Sequence, residues 1–332
     1  MKNKFRIKGF SLGVLSTCLV GLAIADTTFI EEQKGAQSLS RFFGNEAKNA
    51  ALLWAEAQQK QEDGALRTAS KTYQKIYMRW PNSLEAPDAV RAQADMLLAR
   101  KKWQEAFDLY QYGIDNYANR LDDYSAFLEG QYEAAVEIME YRRLPFLFGG
   151  FTSPELAIPL FEKIISNGPQ WDRAPDALMR VGDAYQQAGE FEAAITAYST
   201  LEFSHPASTL ASQALWQHIR TLEKLSEEFP NNVTYIDRLV TATARFMSTY
   251  PDDEKKAMLI ALRNALYEKK AGMKWDEALF YDEVVKNKQA AQLSYEQLLS
   301  SYPKSTLAAQ AKERLEQSDV DEDSIVETGE VR

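Results

Sequence analysis

The sequence predicts an all-α protein, a superhelical solenoid of five to six antiparallel helix pairs. Three observations carry that expectation. Apolar residues recur at helical spacing over most of residues 46–317, small residues and aromatics return in a fixed order, and a proline-containing phrase closes successive segments. A single helix pair cannot bury its apolar face alone, so neighbouring pairs must stack into one array.

The elements follow in chain order. A first pair places Leu53 and Ala57 on one helix and Ala69, Tyr73 and Ile76 on the next, with Gly64 at the turn and Pro81 at the close. The second has Val90, Ala94 and Leu97, then Trp103, Ala106 and Tyr110, with Ala118 where the proline would stand. A third puts Gly130 on its first helix and Ala157, Phe161 and Ile164 on its second, closed by Pro169. The clearest unit follows. Gly182 and Ala194 are small enough for two helices to approach closely, Tyr185, Phe191 and Tyr198 fill the space between them, Gly189 turns the chain, and Pro206 stops the second helix. From 207 to 272 the helical period continues, but only Phe246 and Pro251 keep the pattern, so helices are expected there without an assigned pairing. A last pair holds Ala278, Ala291, Tyr295 and Leu298, closed by Pro303, and a final helix runs from Ser305 to about Gln317. The pattern around residues 178–206 matches the 34-residue tetratricopeptide repeat.

Composition narrows the function. The chain has 332 residues, 38 basic and 48 acidic, for a net charge of -10, which disfavours nucleic acid as a partner. The lone cysteine is Cys18 and the histidines are His205 and His218, so no zinc ligand set, disulfide pair or Cys/His nucleophile couple is expected. No phosphate-binding glycine loop, nucleophile elbow or HExxH helix occurs, and no cofactor or metal is implied. The acidic pairs Glu137 with Glu140 and Asp282 with Glu283 could support acid-base work only if buried, and solvated helix faces explain them more simply. The expected protein is not an enzyme.

The ends carry targeting information. Lys2, Lys4, Arg6 and Lys8 precede an uncharged run from Phe10 to Ala25, and Ala23 and Ala25 offer the small residues of a signal-peptidase site. Residues 1–25 therefore read as a signal peptide, which implies export. Two other readings stand beside it: a retained membrane helix, for which the run is short, and lipidation of Cys18 within Leu15, Ser16, Thr17 and Cys18. Residues 26–45 form a linker, 46–317 the solenoid, and 318–332 an acidic tail expected to be disordered.

Three closing phrases are nearly identical: Tyr73, Ile76, Trp80, Pro81 and Ser83; Tyr198, Leu201, His205, Pro206 and Ser208; Tyr295, Leu298, Tyr302, Pro303 and Ser305. The proline stops one helix and the serine is placed to cap the next. On an exported chain, this phrase resembles the BamD-type outer-membrane protein assembly factors and, less closely, the periplasmic CpoB (YbgF) adaptors of the Tol-Pal system. The BamD resemblance implies a lipoprotein scaffold in the periplasm or at the periplasmic face of the outer membrane that binds an outer-membrane barrel assembly protein and unfolded β-barrel clients, with membrane association through lipid or partner. The candidate partner-binding residues lie on first-helix faces, at Trp54 and Gln58, Arg91 and Asp95, and Met179, Asp183 and Gln186. A further candidate is the knob Phe146, Phe148 and Phe151, an apolar insertion pivoting on Gly149 and Gly150.

Overall fold

The computed structural model describes residues 49–141 and 153–317. The signal-peptide, linker, phenylalanine-knob and acidic-tail expectations, with Cys18, Phe146, Phe148 and Phe151, lie outside the described residues.

The described residues are helical, with no strand among them. The helices are α1 (49–62), α2 (Leu66–Arg79), α3 (Ala86–Ala99), α4 (Trp103–Tyr117), α5 (Tyr124–Glu140), α6 (Ile158–Asn167), α7 (Ala174–Ala188), α8 (Phe191–Ser204), α9 (Ala211–Glu228), α10 (Val233–Thr249), α11 (Lys256–Leu279), α12 (Lys288–Ser301) and α13 (308–317). The chain divides into two compact units, Met1–Ile138 and Met139–Arg332. The sequence predicts one array through 46–317, whereas the division falls at the end of α5.

In the first unit α3 packs against both α2 and α4. In the second, consecutive helices from α6 to α10 pack in series, and α11 packs on α12. The fold class is all-α, assembled from antiparallel pairs, and the same local geometry recurs in pair after pair. The turn inside a pair passes through the left-handed region at Gly64, Lys101, Gly189 and Lys286, with φ of 73°, 59°, 80° and 55°. Counting five residues on from each reaches Ala69, Ala106, Ala194 and Ala291, and nine residues on reaches Tyr73, Tyr110, Tyr198 and Tyr295, all of them buried. These alanines and tyrosines are the inter-helix core that the periodicity predicts.

The link between pairs is also repeated. It consists of two successive turns, each closed by an N–H bonding back three residues: Ser83 to Trp80 and Ala86 to Ser83, Trp171 to Gly168 and Ala174 to Trp171, Ser208 to His205 and Ala211 to Ser208, Asp253 to Tyr250 and Lys256 to Asp253, Ser305 to Tyr302 and Ala308 to Ser305. Two expectations change here. The helices after the phrase begin three residues beyond the serine, so α13 starts at 308 rather than at Ser305. The serine is not a side-chain cap at Ser83 or Ser305, whose hydroxyl oxygens are buried without a hydrogen-bond partner. At these two links the serine itself is buried, Ser83 being 7 % and Ser305 7 % exposed, whereas the half-buried Trp171 and Asp253 hold the same position in two other links.

The same double turn at Tyr250 settles the pairing left open between 207 and 272. α9 and α10 form one pair and α11 and α12 the next. Leu215, Ile219, Leu222, Ile236, Leu239 and Phe246 make a continuous core between α9 and α10. The long α11 leads into a π-helical turn, Phe280–Val285, before the left-handed Lys286.

Candidate binding grooves

The tyrosine nine residues after each turn is polar at its tip, and a buried hydroxyl must find a partner. Tyr73 donates to Gln61 Oε1 at 2.9 Å, Tyr110 to Asp95 Oδ1 at 2.5 Å and Tyr295 to Asp282 Oδ2 at 3.2 Å. The Tyr198 hydroxyl lies 2.8 Å from both Asp183 Oδ1 and Gln186 Oε1. Its one proton favours the carboxylate, the charge-assisted acceptor. Burial, followed by the hydrogen bond to the carboxylate, pushes the Tyr110 and Tyr198 hydroxyls well above the ordinary tyrosine range. Burial also raises the Asp183 carboxyl, against the lowering effect of the Tyr198 bond.

These latches reassign several sequence candidates. Asp183 and Gln186 are tied to Tyr198 and hold their own pair together. Met179 is 5 % exposed and packs with Leu178, Ala194 and Tyr198, so the expectation that it faces a partner is corrected: its thioether is core. Trp54 is half-buried against Tyr73, ring centroids 5.2 Å apart, and Gln58 is exposed. Glu137 and Glu140 are exposed. Asp282 and Glu283 both reach Arg314, at 3.4 and 3.2 Å, and form an ion-pair cluster.

Arg91 and Asp95 remain together on α3, 4.0 Å apart, and line a groove of about 430 Å³ in the first unit. The opposite wall is α5, which contributes Glu129 and Glu133 one turn apart, and the Tyr110 ring forms the floor. Gly130 makes this approach possible. A Cβ there would sit 2.2 Å from Tyr110 Cζ, so only glycine lets α5 settle on the tyrosine. Three carboxylates, Asp95, Glu129 and Glu133, thus share the lining with one guanidinium, Arg91.

A second and larger groove, about 770 Å³, lies in the second unit between α8 and α10, with His218 of α9 on its lining. His218 is 8 % exposed, and its Nδ1 lies 3.1 Å from Ser199 Oγ. Burial, then the positive charges of Arg245 and Arg238, lower its pKa to about 4, so the ring is neutral at pH 7. A group so acidic is a poor general base, and the Ser199–His218 contact is a structural bond between α8 and α9. The sequence places His218 on a helix but does not reveal this groove, because its walls come from Ser and Thr residues with no motif spacing.

A tetratricopeptide-repeat family model matches residues 176–208, the α7–α8 pair and the link after it. No curated protein sequence matches the chain. Among solved structures, a tetratricopeptide repeat protein from Parabacteroides merdae is 16% identical, covering 81% of this chain and 98% of its own, with a TM-score of 0.33. The MamA protein is 18% identical over 63% of this chain and 94% of its own, with a TM-score of 0.32. The apo form of RapI is 10% identical over 77% and 75%, with a TM-score of 0.34. The family match places a tetratricopeptide repeat at the α7–α8 pair of this all-α chain.

Proposed function

We propose that this protein is a non-enzymatic scaffold that binds polypeptide partners, with the α3–α5 groove as a working site for a basic segment. The observation that carries this reading is the groove itself. Acidic side chains on both walls, Asp95 of α3 and Glu133 of α5, around a tyrosine floor in a preformed cleft suit a lysine or arginine side chain and leave room for its aliphatic stem.

The finer reading places the scaffold at the cell envelope, in the manner of the BamD-type assembly factors. Its support is sequence-borne: the basic and apolar N-terminal segment with Ala23 and Ala25, and the threefold closing phrase. On this reading the partners are an outer-membrane barrel assembly protein and unfolded β-barrel clients. Purification of the full chain from its native envelope tests it. Co-recovery of a barrel assembly protein, with a processed start at Asp26 or an acylated Cys18, is the expected result. Recovery with Tol-Pal components, or an unprocessed chain in the cytoplasmic fraction, overturns it.

A further inference from the structure

The lining of the α8–α10 groove holds charges of both signs, Asp237, Arg238 and Arg245. Each charged side chain on its lining has a partner of opposite sign. Arg238 grips both Glu192 oxygens at 2.7 and 2.9 Å, Arg245 lies 2.8 Å from Glu202, and Asp237 receives Lys270 Nζ at 2.6 Å. A charged occupant would have to compete with pairs already formed.

The hydrogen-bonding inventory is more specific. Thr196 donates its hydroxyl proton to Glu192 O at 2.9 Å, Thr200 to Thr196 O at 2.8 Å, and Thr241 to Asp237 O at 2.9 Å. With those protons spent inside their own helices, the three lining hydroxyls can offer an occupant only acceptor lone pairs. Donors come from the other wall. A guanidinium carries five N–H groups, and the carboxylates use only part of each set. Arg238 and Arg245 stand seven residues apart on α10, two turns or about 10.5 Å along the axis. Phe203, 65 % exposed, lies 4.8 Å from the Arg245 guanidinium and supplies a fixed apolar surface beside those donors.

An occupant must therefore bring N–H donors, carbonyl acceptors and an apolar side chain, with no net charge. Extended polypeptide with uncharged side chains has all of these. We propose that the α8–α10 groove is a second polypeptide-binding site, one that takes an uncharged extended segment of mixed hydroxyl and apolar residues. At about 3.3 Å per residue, the segment needs at least three or four residues to reach both arginines. The inference shares only the general idea of polypeptide binding with the proposed function and stands whether or not the acidic groove binds basic segments.

Three short fluorescent blocked peptides test it by anisotropy with the full chain. They share one leucine and valine pattern and carry serine and threonine, lysine, or glutamate at the remaining positions. The expected result is saturable binding of the uncharged peptide, changing less than about twofold between about 50 and 500 mM salt. Filling the groove at two exposed positions, Thr200→Trp with Thr241→Trp, should weaken it at least about tenfold, converting to about 1.4 kcal/mol. Should that variant lose helix content, Phe203→Ala removes exposed surface alone and should weaken binding about threefold or more. Failure of the uncharged peptide to bind up to about 1 mM overturns the proposal. So does binding insensitive to the substitutions, or a preference for the glutamate peptide that salt abolishes. Glu129→Gln with Glu133→Gln, which alters only the acidic groove, should leave binding of the uncharged peptide unchanged, and its loss in that variant would overturn the proposal.

Discussion

Alanine at Gly182 and alanine at Gly272 are the same substitution in two helices, and the structure gives them opposite signs. At Gly182 the added methyl carbon would lie 2.4, 2.6 and 2.8 Å from three atoms of the Tyr198 ring, which is fully buried. Ordinary contact begins near 3.4 Å, so the ring must retreat by about 1 Å. That motion strains a packed core, at about 1–3 kcal/mol, and pulls the hydroxyl from Asp183 and Gln186, costing about 1 kcal/mol more. Better helix propensity returns about 1 kcal/mol. The net expectation is a loss of about 1–3 kcal/mol. At Gly272, inside α11, an added methyl carbon would meet nothing within 4 Å, so only the propensity gain remains, about 0.5–1 kcal/mol of stabilisation. Urea unfolding followed by circular dichroism, with the slope compared between variants, separates the two. Gly182→Ala combined with Tyr198→Leu should be no less stable than Tyr198→Leu alone, because the clash is gone. A higher midpoint for Gly182→Ala than for wild type would refute the packing register of the α7–α8 pair.

Three further outcomes are expected. Lys101→Gly should stabilise the first unit by about 1 kcal/mol, since a non-glycine residue at φ 59° bears a steric cost that glycine escapes, and Lys286→Gly should act likewise; an unchanged unfolding midpoint in both would argue against left-handed turns there. His218 has a folded pKa of about 4, below its unfolded value near 6.5, so its contribution is complete above about pH 6.5 and fades as pH falls toward 4. The loss amounts to about 3 kcal/mol at most; wild type should therefore lose more stability than His218→Gln over that window, and an NMR titration of His218 with a midpoint at about 6 or above would contradict the burial argument. Tyr110→Phe should leave Asp95 without its 2.5 Å bond and cost about 1–3 kcal/mol in thermal unfolding, and no measurable change would mean that the latch is not coupled to folding.

The repeat is legible in the sequence where its residues do one job each. Ala194, Tyr198 and Gly182 are small or aromatic because two helices meet there, and their spacing alone predicts the contacts seen in the structure. The pairing of α9 with α10 is hidden because Asp253 and Lys256 stand where Ser83 and Ala86, Ser208 and Ala211, and Ser305 and Ala308 stand in other links, while the backbone double turn at Tyr250 is the same. Lys101 and Lys286 hide their turns in the same way, since a lysine does not announce a positive φ. Met179 misleads because its helical position equals that of Arg91, yet an apolar side chain there turns into the core while the arginine stays at the groove. The α8–α10 groove is illegible for a different reason. It is a property of two helices whose facing Ser, Thr and Arg residues have no signature until the fold brings them together.

Whether the α3–α5 groove receives a basic polypeptide segment is decided by the affinity of the full chain for a blocked lysine-bearing peptide before and after Glu129→Gln with Glu133→Gln. Both positions line the groove on one face of α5, and the change removes charge while preserving size. The expected outcome is an affinity at least about tenfold weaker in the double variant, and a wild-type affinity that falls steeply as salt rises from about 50 to 500 mM. Equal affinity for both proteins, or equal binding of a glutamate-bearing peptide, would overturn the assignment of this groove to a basic segment.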